Sequence, residues 1–246
     1  MKIPKIIHQT WKNSDVPDAL QALADTWKTH HPNWEYKLWT DEDNERFVAG
    51  HYPDFKAIYD AYPANIQKVD AVRYLILQTY GGIFVDLDFA CRRNMEELLQ
   101  HATCAFGKEP SEHCEIHQKE FIISNAFMAT IPHHPFLASL CHELRRTDID
   151  IDHINNNILE TTGPFMLSRV YSNSTEQEKV TLLDYSCLYP LTKEEIALWL
   201  HEKDCSHEIR EKLRHAYAIH YYSGTWWDKD AHQHIRKIRE NFHIIQ

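Results

Sequence analysis

The sequence predicts an α/β protein, a sheet sandwiched between helices, and three observations carry that expectation. Strand-like and helix-like segments alternate from residue 3 to residue 87, the order that places helices against a sheet. The strongest helical segment, "PANIQKVDAVRYLILQTYGG", runs directly into the strongest strand-like one, residues 83–87. The 246 residues contain no internal repeat, no low-complexity linker and only six glycines, so no hinge divides them and a single domain is expected.

The elements follow in order. Residues 3–8 of "KIPKIIHQTW" read as the opening strand. "VPDALQALADTWKTHHP" reads as a helix, with Asp15 near its cap and Pro17 in its first turn. "WEYKLW" alternates and reads as a second strand. "TDEDNERFVAG" begins with acids and ends at Gly50, as a short helix should. In the strongest helix Ile66, Val69, Val72, Leu75, Ile76 and Thr79 fall at helical spacing, and Gly81 terminates it. Gly81 and Gly82 read as a tight helix-to-strand turn. Weaker signals follow: apolar runs near 103–107, 121–129 and 180–189, and helices near 134–146, 164–171, 192–203 and 207–215. "HAYAIHYYSGTWW" is strand-like and ends in a small-residue turn. In the closing "DAHQHIRKIRENFHIIQ", Ile235, Ile238, Phe242 and Ile245 form one apolar stripe. A final helix docked on the sheet is expected, with a peripheral membrane-surface contact as the alternative.

Composition excludes several classes. A net charge of −10 repels phosphate backbones, so nucleic-acid binding is not expected, although a local basic patch could hold a diphosphate. No segment approaches the roughly 20 apolar residues that span a bilayer. The N-terminus lacks an apolar signal core. The six cysteines show no C-x-x-C spacing and read as free, mostly buried thiols in a reducing compartment. Most of the eighteen histidines, in stretches such as "HHP", read as surface.

The chemistry concentrates where helix meets strand. Asp86 and Asp88 end the apolar run "IFVDLD". In extended backbone, residues two apart share a face. Two carboxylates that close are unfavourable unless a cation or donors lie between them, and a hard divalent ion would resolve the conflict. The bland reading is an acidic turn. In the preceding helix Asp70 and Arg73 are three apart, on neighbouring surface positions at the edge of the buried face. They read either as an intrahelical ion pair or as a carboxylate for sugar hydroxyls beside a guanidinium for phosphate or sugar oxygens.

At this point the sequence resembles the glycosyltransferases with a DXD sugar-binding region, glycosyltransferase family 32, which spans initiating α-1,6-mannosyltransferases and bacterial polysaccharide enzymes. "IPKIIHQTW" resembles its first strand, and "VDAVRYLILQTYGGIFVDLD" its central block. "ISNAFMATIPHHP" and "TGPFMLSRV" resemble its middle blocks, and "AIHYYSGTWW" its closing block. The resemblance implies a GT-A fold: a Rossmann-like mixed sheet flanked by helices, with nucleotide-sugar binding in about 1–130 and the acceptor-side, closing part in about 131–246. It implies retention of anomeric configuration, a manganese or magnesium ion, and a UDP-hexose or GDP-mannose donor. Asp88 is the first choice for direct metal coordination. Asp86 would hold the metal through water, or the ribose and donor sugar. His220 would be the C-terminal metal or diphosphate contact; a core histidine is the alternative. Thr225 and Trp226 would cover the diphosphate, and Asp70 and Arg73 would hold the donor sugar and its phosphate. Trp11 would stack on the base or pack in the core. His8 and Gln9 would line the cleft, and Asn125 would contact sugar or acceptor. No residue stands out as a nucleophile, so a front-face retaining route is expected.

The family resemblance implies transfer of a hexose to a glycan or glycolipid, with capsule, lipopolysaccharide or another bacterial surface polysaccharide as the setting. The absence of an N-terminal anchor points to a cytoplasmic protein, at most peripheral at the inner face of the membrane. The polar stretch 107–120, "GKEPSEHCEIHQKE", reads as an acceptor-side loop. Two rivals remain open: a haloacid-dehalogenase-like phosphatase using its D-x-D as nucleophile, and an inactive sugar-binding relative.

Overall fold

The computed structural model describes residues 1–146, 154–202, 206–224, 235–238 and 240. Its strands are β1 (Ile6–Thr10), β2 (Glu35–Trp39), β3 (Gly82–Val85), β4 (Phe89–Cys91), β5 (Cys104–Lys108), β6 (Ile123–Thr130), β7 (Thr181–Leu183) and β8 (Ala218–His220). Six of them form one sheet in the order β2-β1-β3-β6-β5-β7. β1 runs parallel to β2 and β3, while β6 is antiparallel to both β3 and β5. The remaining pair, β4 and β8, makes a separate antiparallel ribbon. The sheet is mixed, and its central strands β3 and β6 are buried along their whole length.

Strand periodicity sorts the core into two faces. Phe84, Phe106 and Met128 pack with α4 (Asn65–Tyr80), α6 (Pro135–Glu143) and α8 (Pro164–Ser172). Ile83, Val85 and Phe127 pack on the other side with Trp27 of α1 (Asp18–His30) and with Phe89. A third cluster joins Leu20 and Leu23 of α1 to Ile196, Trp199 and Leu200 of α10 (Lys193–Glu202). It also takes in Leu213 of α11 (His207–Leu213), Ile219 and Tyr221. Ile235 and Ile238 are buried in the same cluster, so this part of the closing segment docks on the fold; Phe242 and Ile245 lie outside the described residues.

Several boundaries differ from the sequence expectation. The strand after Gly82 stops at Val85, so Asp86, Leu87 and Asp88 form a turn rather than extended backbone. α2 (Asp41–His51) continues past Gly50, because that glycine keeps an ordinary negative φ and has open space around it. Its start is a capping box between Thr40 and Asp43. Pro17 is the N-cap of α1, not part of its first turn. Gly81 does end α4, at φ 66°. The helix α3 (Lys56–Ala61) gave no recognised sequence signal, and 107–120 contains α5 (Ser111–Ile116) rather than loop alone. α7 (Ile154–Thr161) and the short α9 (Tyr185–Leu188) complete the helices used below. His134, in the stretch "HHP", is buried, and its Nδ1 caps α6 by accepting from Phe136 N–H. Among the described residues Cys91, Cys104, Cys114, Cys141 and Cys187 are free thiols.

Candidate active site at the carboxyl end of β3

The turn after β3 aims both carboxylates at one point. Asp86 N–H donates to the Ala126 carbonyl at 2.9 Å, which holds the turn against β6, and Phe89 N–H closes it onto the Asp86 carbonyl at 3.2 Å. β4 then pairs with β8 so that His220 stands opposite Phe89. Their rings stack at 4.5 Å, with 9° between planes. The imidazole is packed on its other sides by Tyr222 and Tyr189. One ligand atom each from Asp86, Asp88 and His220 fall within 4.8 Å of one another.

Hydrogen bonds fix Asp88 more tightly than Asp86. Asp88 Oδ2 accepts from Ser223 N–H at 2.8 Å and from Ser223 Oγ at 2.7 Å, and its Oδ1 lies 3.2 Å from His220 Nε2. Burial alone would raise the Asp88 carboxyl; His220 and both Ser223 donors outweigh it and hold the group well below the usual carboxylate range. Burial also works to lower the imidazole of His220, yet Asp88, Asp86 and Glu109 hold it above its ordinary value. Burial raises the Asp86 carboxyl, Arg73 opposes the rise, and Asp88 adds to it.

These residues suit a divalent ion. Two carboxylates and an imidazole form a donor set for manganese or magnesium. With Nε2 turned to Asp88, the buried Nδ1 of His220 finds no partner among the described residues. Two carboxylates converge here, Asp86 backed by Arg73 and Asp88 by His220, and a cation relieves the repulsion left between them.

Behind the turn lies a buried array. Arg73 is 3% exposed and has Nη1 3.1 Å from Asp86 Oδ1 and Nη2 3.2 Å from Asp70 Oδ1. Its Nη1 also donates to the Asn125 carbonyl at 2.8 Å, and its plane lies over Phe84. Asp70 accepts from Asn125 Nδ2 at 3.0 Å and Thr162 Oγ1 at 3.2 Å. Burial pushes the Asp70 carboxyl up to about 6, against the pull of Arg73 and with Asp86 adding to the rise. The expectation that Asp70 and Arg73 lie at the edge of a buried face gives way to full burial, because α4 is enclosed all round from Asp70 to Leu77. The guanidinium is spent on protein groups and sets the orientation of Asp86.

Two residues expected in the cleft lie in the interior. His8 Nδ1 accepts from Trp39 Nε1 at 3.1 Å and its Nε2 meets the Gly81 carbonyl at 3.0 Å, so both ring nitrogens are committed. Gln9 is fully buried; its Nε2 donates to the Asp86 carbonyl at 3.2 Å and its Oε1 accepts from Tyr36. Neither lines a cleft, because β1 is sandwiched between β2 and β3 and its faces are covered. Trp11 is half-buried at the end of β1, its Nε1 on the Asp15 carbonyl. Thr225 and Trp226 lie outside the described residues. Ser223 and Thr162 were not singled out from sequence, although both stand inside the quoted blocks "AIHYYSGTWW" and "TGPFMLSRV".

Residues 17–105 match the family described as "Glycosyltransferase sugar-binding region containing DXD motif". Inositol phosphoceramide mannosyltransferase 3 of Schizosaccharomyces pombe is 34% identical over 229 residues, covering 93% of this chain and 57% of that protein. Mannosyl phosphorylinositol ceramide synthase SUR1 of Saccharomyces cerevisiae is 36% identical over 169 residues, covering 69% of this chain and 42% of that protein. The chain spans about half the length of the curated relatives it matches. Among solved structures, the PaToxG glycosyltransferase superposes with a TM-score of 0.51 at 13% identity, covering 97% of this chain and 86% of that one, a likeness of fold alone. With its D-x-D turn, its mixed sheet and these relatives, the chain belongs to the glycosyltransferases with a DXD sugar-binding region, and its fold is of the GT-A type.

Proposed function

We propose that this chain is a metal-dependent, retaining mannosyltransferase that moves mannose from a nucleotide-sugar donor to a glycolipid. The observation that carries the reading is the convergence of Asp86, Asp88 and His220 from distant segments onto one point. The mannose and the glycolipid rest on the relatives' names, which specify mannosyl transfer and inositol phosphoceramide. Those names support an acceptor with an inositol phosphate headgroup in place of the bacterial surface polysaccharide expected from sequence.

Asp88, Asp86 and His220 would hold the ion, which when bound supplies Lewis-acid neutralisation of the departing diphosphate. Asp88 arrives pre-oriented, with Oδ2 pinned by Ser223 and Oδ1 turned to the cluster. Arg73 and Gln9 hold Asp86 from behind, so the turn needs little reorganisation when charge develops. No carboxylate of the buried array is free to act as nucleophile: Asp70 is held by Arg73, Asn125 and Thr162. These contacts support the front-face route. The acceptor hydroxyl attacks from the side of the departing diphosphate and gives its proton to that diphosphate. The work left to the protein is positioning and charge stabilisation. No helix among the described residues is long and apolar enough to cross a membrane.

A nucleotide-release assay tests the reading. Purified protein is incubated with manganese and a panel of GDP-mannose and UDP-hexoses, with and without an inositol-phosphate lipid in detergent. Release from GDP-mannose that is lost with chelator and lost in Asp88→Asn is expected. No turnover and no manganese-dependent binding of any nucleotide sugar would overturn the reading.

A further inference from the structure

The polar stretch 107–120 contains a second arrangement of chemical groups beside the metal-ligand cluster. Glu109 follows β5 at the same end of the sheet as the turn after β3; its N–H is bonded to the Ile122 carbonyl, just before β6 begins. Its Oε2 lies 2.9 Å from His113 Nδ1. His113 Nε2 in turn lies 3.4 Å from the Lys193 N–H at the start of α10. Because Nε2 faces a donor, the proton sits on Nδ1, and the imidazole points the carboxylate as a fixed hydrogen-bond donor. The Glu109 side chain remains 17% exposed, against 10% for His113.

One aromatic ring separates this pair from the cluster. The Tyr222 ring lies 4.2 Å from the His220 ring and 5.2 Å from the His113 ring. Tyr222 is half-buried and has φ 48°, a left-handed conformation that a bulky residue adopts only where its surroundings impose it. A partly buried aromatic ring near a carboxylate that a histidine orients is equipment for a polyhydroxylated ring: its C–H face stacks on the aromatic and one hydroxyl donates to the carboxylate. Tyr222 touches both His220 and His113, so a ring held here lies next to the donor side of the site.

We propose that Glu109, oriented by His113, and the Tyr222 ring form the acceptor site, binding a polyhydroxylated ring through a hydroxyl that donates to Glu109. Glu109 takes no proton in the transfer; it fixes the ring so that a different hydroxyl meets the sugar. The inference rests on the transferase reading above and names the part of the same site that receives the acceptor.

The test uses the full chain with manganese, GDP-mannose and an inositol-phosphate lipid in detergent. Nucleotide affinity is measured separately by calorimetry. Glu109→Gln, which keeps the shape and removes the charge, is expected to raise the acceptor KM about tenfold, the loss of one charge-assisted hydrogen bond, while the manganese-dependent Kd for GDP stays at the wild-type value. For His113 as a positioning residue, His113→Ala should raise KM similarly, and His113→Asn, whose amide N–H replaces Nδ1–H, should recover most of it. Wild-type turnover with an unchanged acceptor KM in Glu109→Gln overturns this inference alone. A Glu109→Gln protein that loses GDP affinity together with KM shows a structural role and also overturns it. A wild type with no manganese-dependent nucleotide affinity overturns the transferase reading and this inference with it.

Discussion

Removing Arg73 tests whether the buried array supports the metal turn. Arg73 bridges Asp70 and Asp86 at 3.2 and 3.1 Å, and it is almost wholly enclosed. Arg73→Met keeps the apolar stem over Phe84 and deletes the charge. Asp70, already pushed up by burial, then loses its strongest counter-charge. Breaking a buried pair from one side costs about 3–5 kcal/mol, because the remaining charge is left uncompensated. At this chain length each kcal/mol moves the melting temperature by roughly 2–4 °C, so a fall of roughly 6–20 °C is expected. Asp70→Asn placed in the same chain removes the stranded charge while keeping hydrogen-bonding groups for Asn125 and Thr162. The double variant should therefore recover at least about 1.5 kcal/mol relative to the sum of the single changes. Thermal unfolding of the four proteins at neutral pH measures the cycle. Strict additivity, or a loss under about 2 °C in Arg73→Met, would refute the claim that Arg73 neutralises Asp70 within the fold.

Three further outcomes are expected. Burial holds the His8 imidazole down at about 4, so the fold binds fewer protons than the unfolded chain between about 4 and 6.5; the stability is complete above 6.5 and is lost as pH falls towards 4. That window is worth about 3 kcal/mol, and urea unfolding of wild type and His8→Gln across it should show the smaller pH slope in the variant. Gly82 has φ 95°, and a Cβ there would lie 2.6 Å from the Ile6 carbonyl oxygen, so Gly82→Ala should lower the urea midpoint by the equivalent of about 2 kcal/mol or more; an unchanged midpoint contradicts the strain. Manganese at about a hundredfold excess over its Kd should stabilise the wild type by about 2.7 kcal/mol in thermal melts, and His220→Ala should abolish most of this; equal shifts in both proteins would remove His220 from the ligand set.

The join of α4 to β3 is the part of the molecule most legible in the sequence. Its helical spacing, glycine pair and acidic pair are all local, and local signals survive in a single sequence. Extended backbone does not bring the carboxylates together: the strand ends at Val85 and a turn does so. His8 and Gln9 misled for a different reason. A polar pair at the end of a strand resembles a cleft lining, but β1 is an interior strand, and its polar side chains satisfy buried backbone and aromatic groups. Burial of a strand on both faces is a property of the sheet order, which no short segment encodes.

His220 was legible through the closing block "AIHYYSGTWW", but the strand pairing that places it was not. β4 and β8 are three residues each; β4 is too short for a periodic signal, β8 is legible only inside a longer strand-like run, and a two-stranded ribbon of that size is not stable by itself. It persists because Trp27 Nε1 donates to the Phe89 carbonyl at 3.0 Å from below, and Tyr221 N–H donates to the Asp88 carbonyl at 2.9 Å at its end. These bonds join residues far apart in sequence, and they are the same contacts that put His220 against Phe89 and Ser223 on Asp88. Docking of the C-terminal layer and completion of the ligand set are therefore one structural event. A chain without that docking keeps Asp86 and Asp88 in sequence but lacks the third ligand and the donors that orient Asp88. The D-x-D signature alone marks where a metal turn begins; the closing segment, through His220 and Ser223, determines whether it becomes a site.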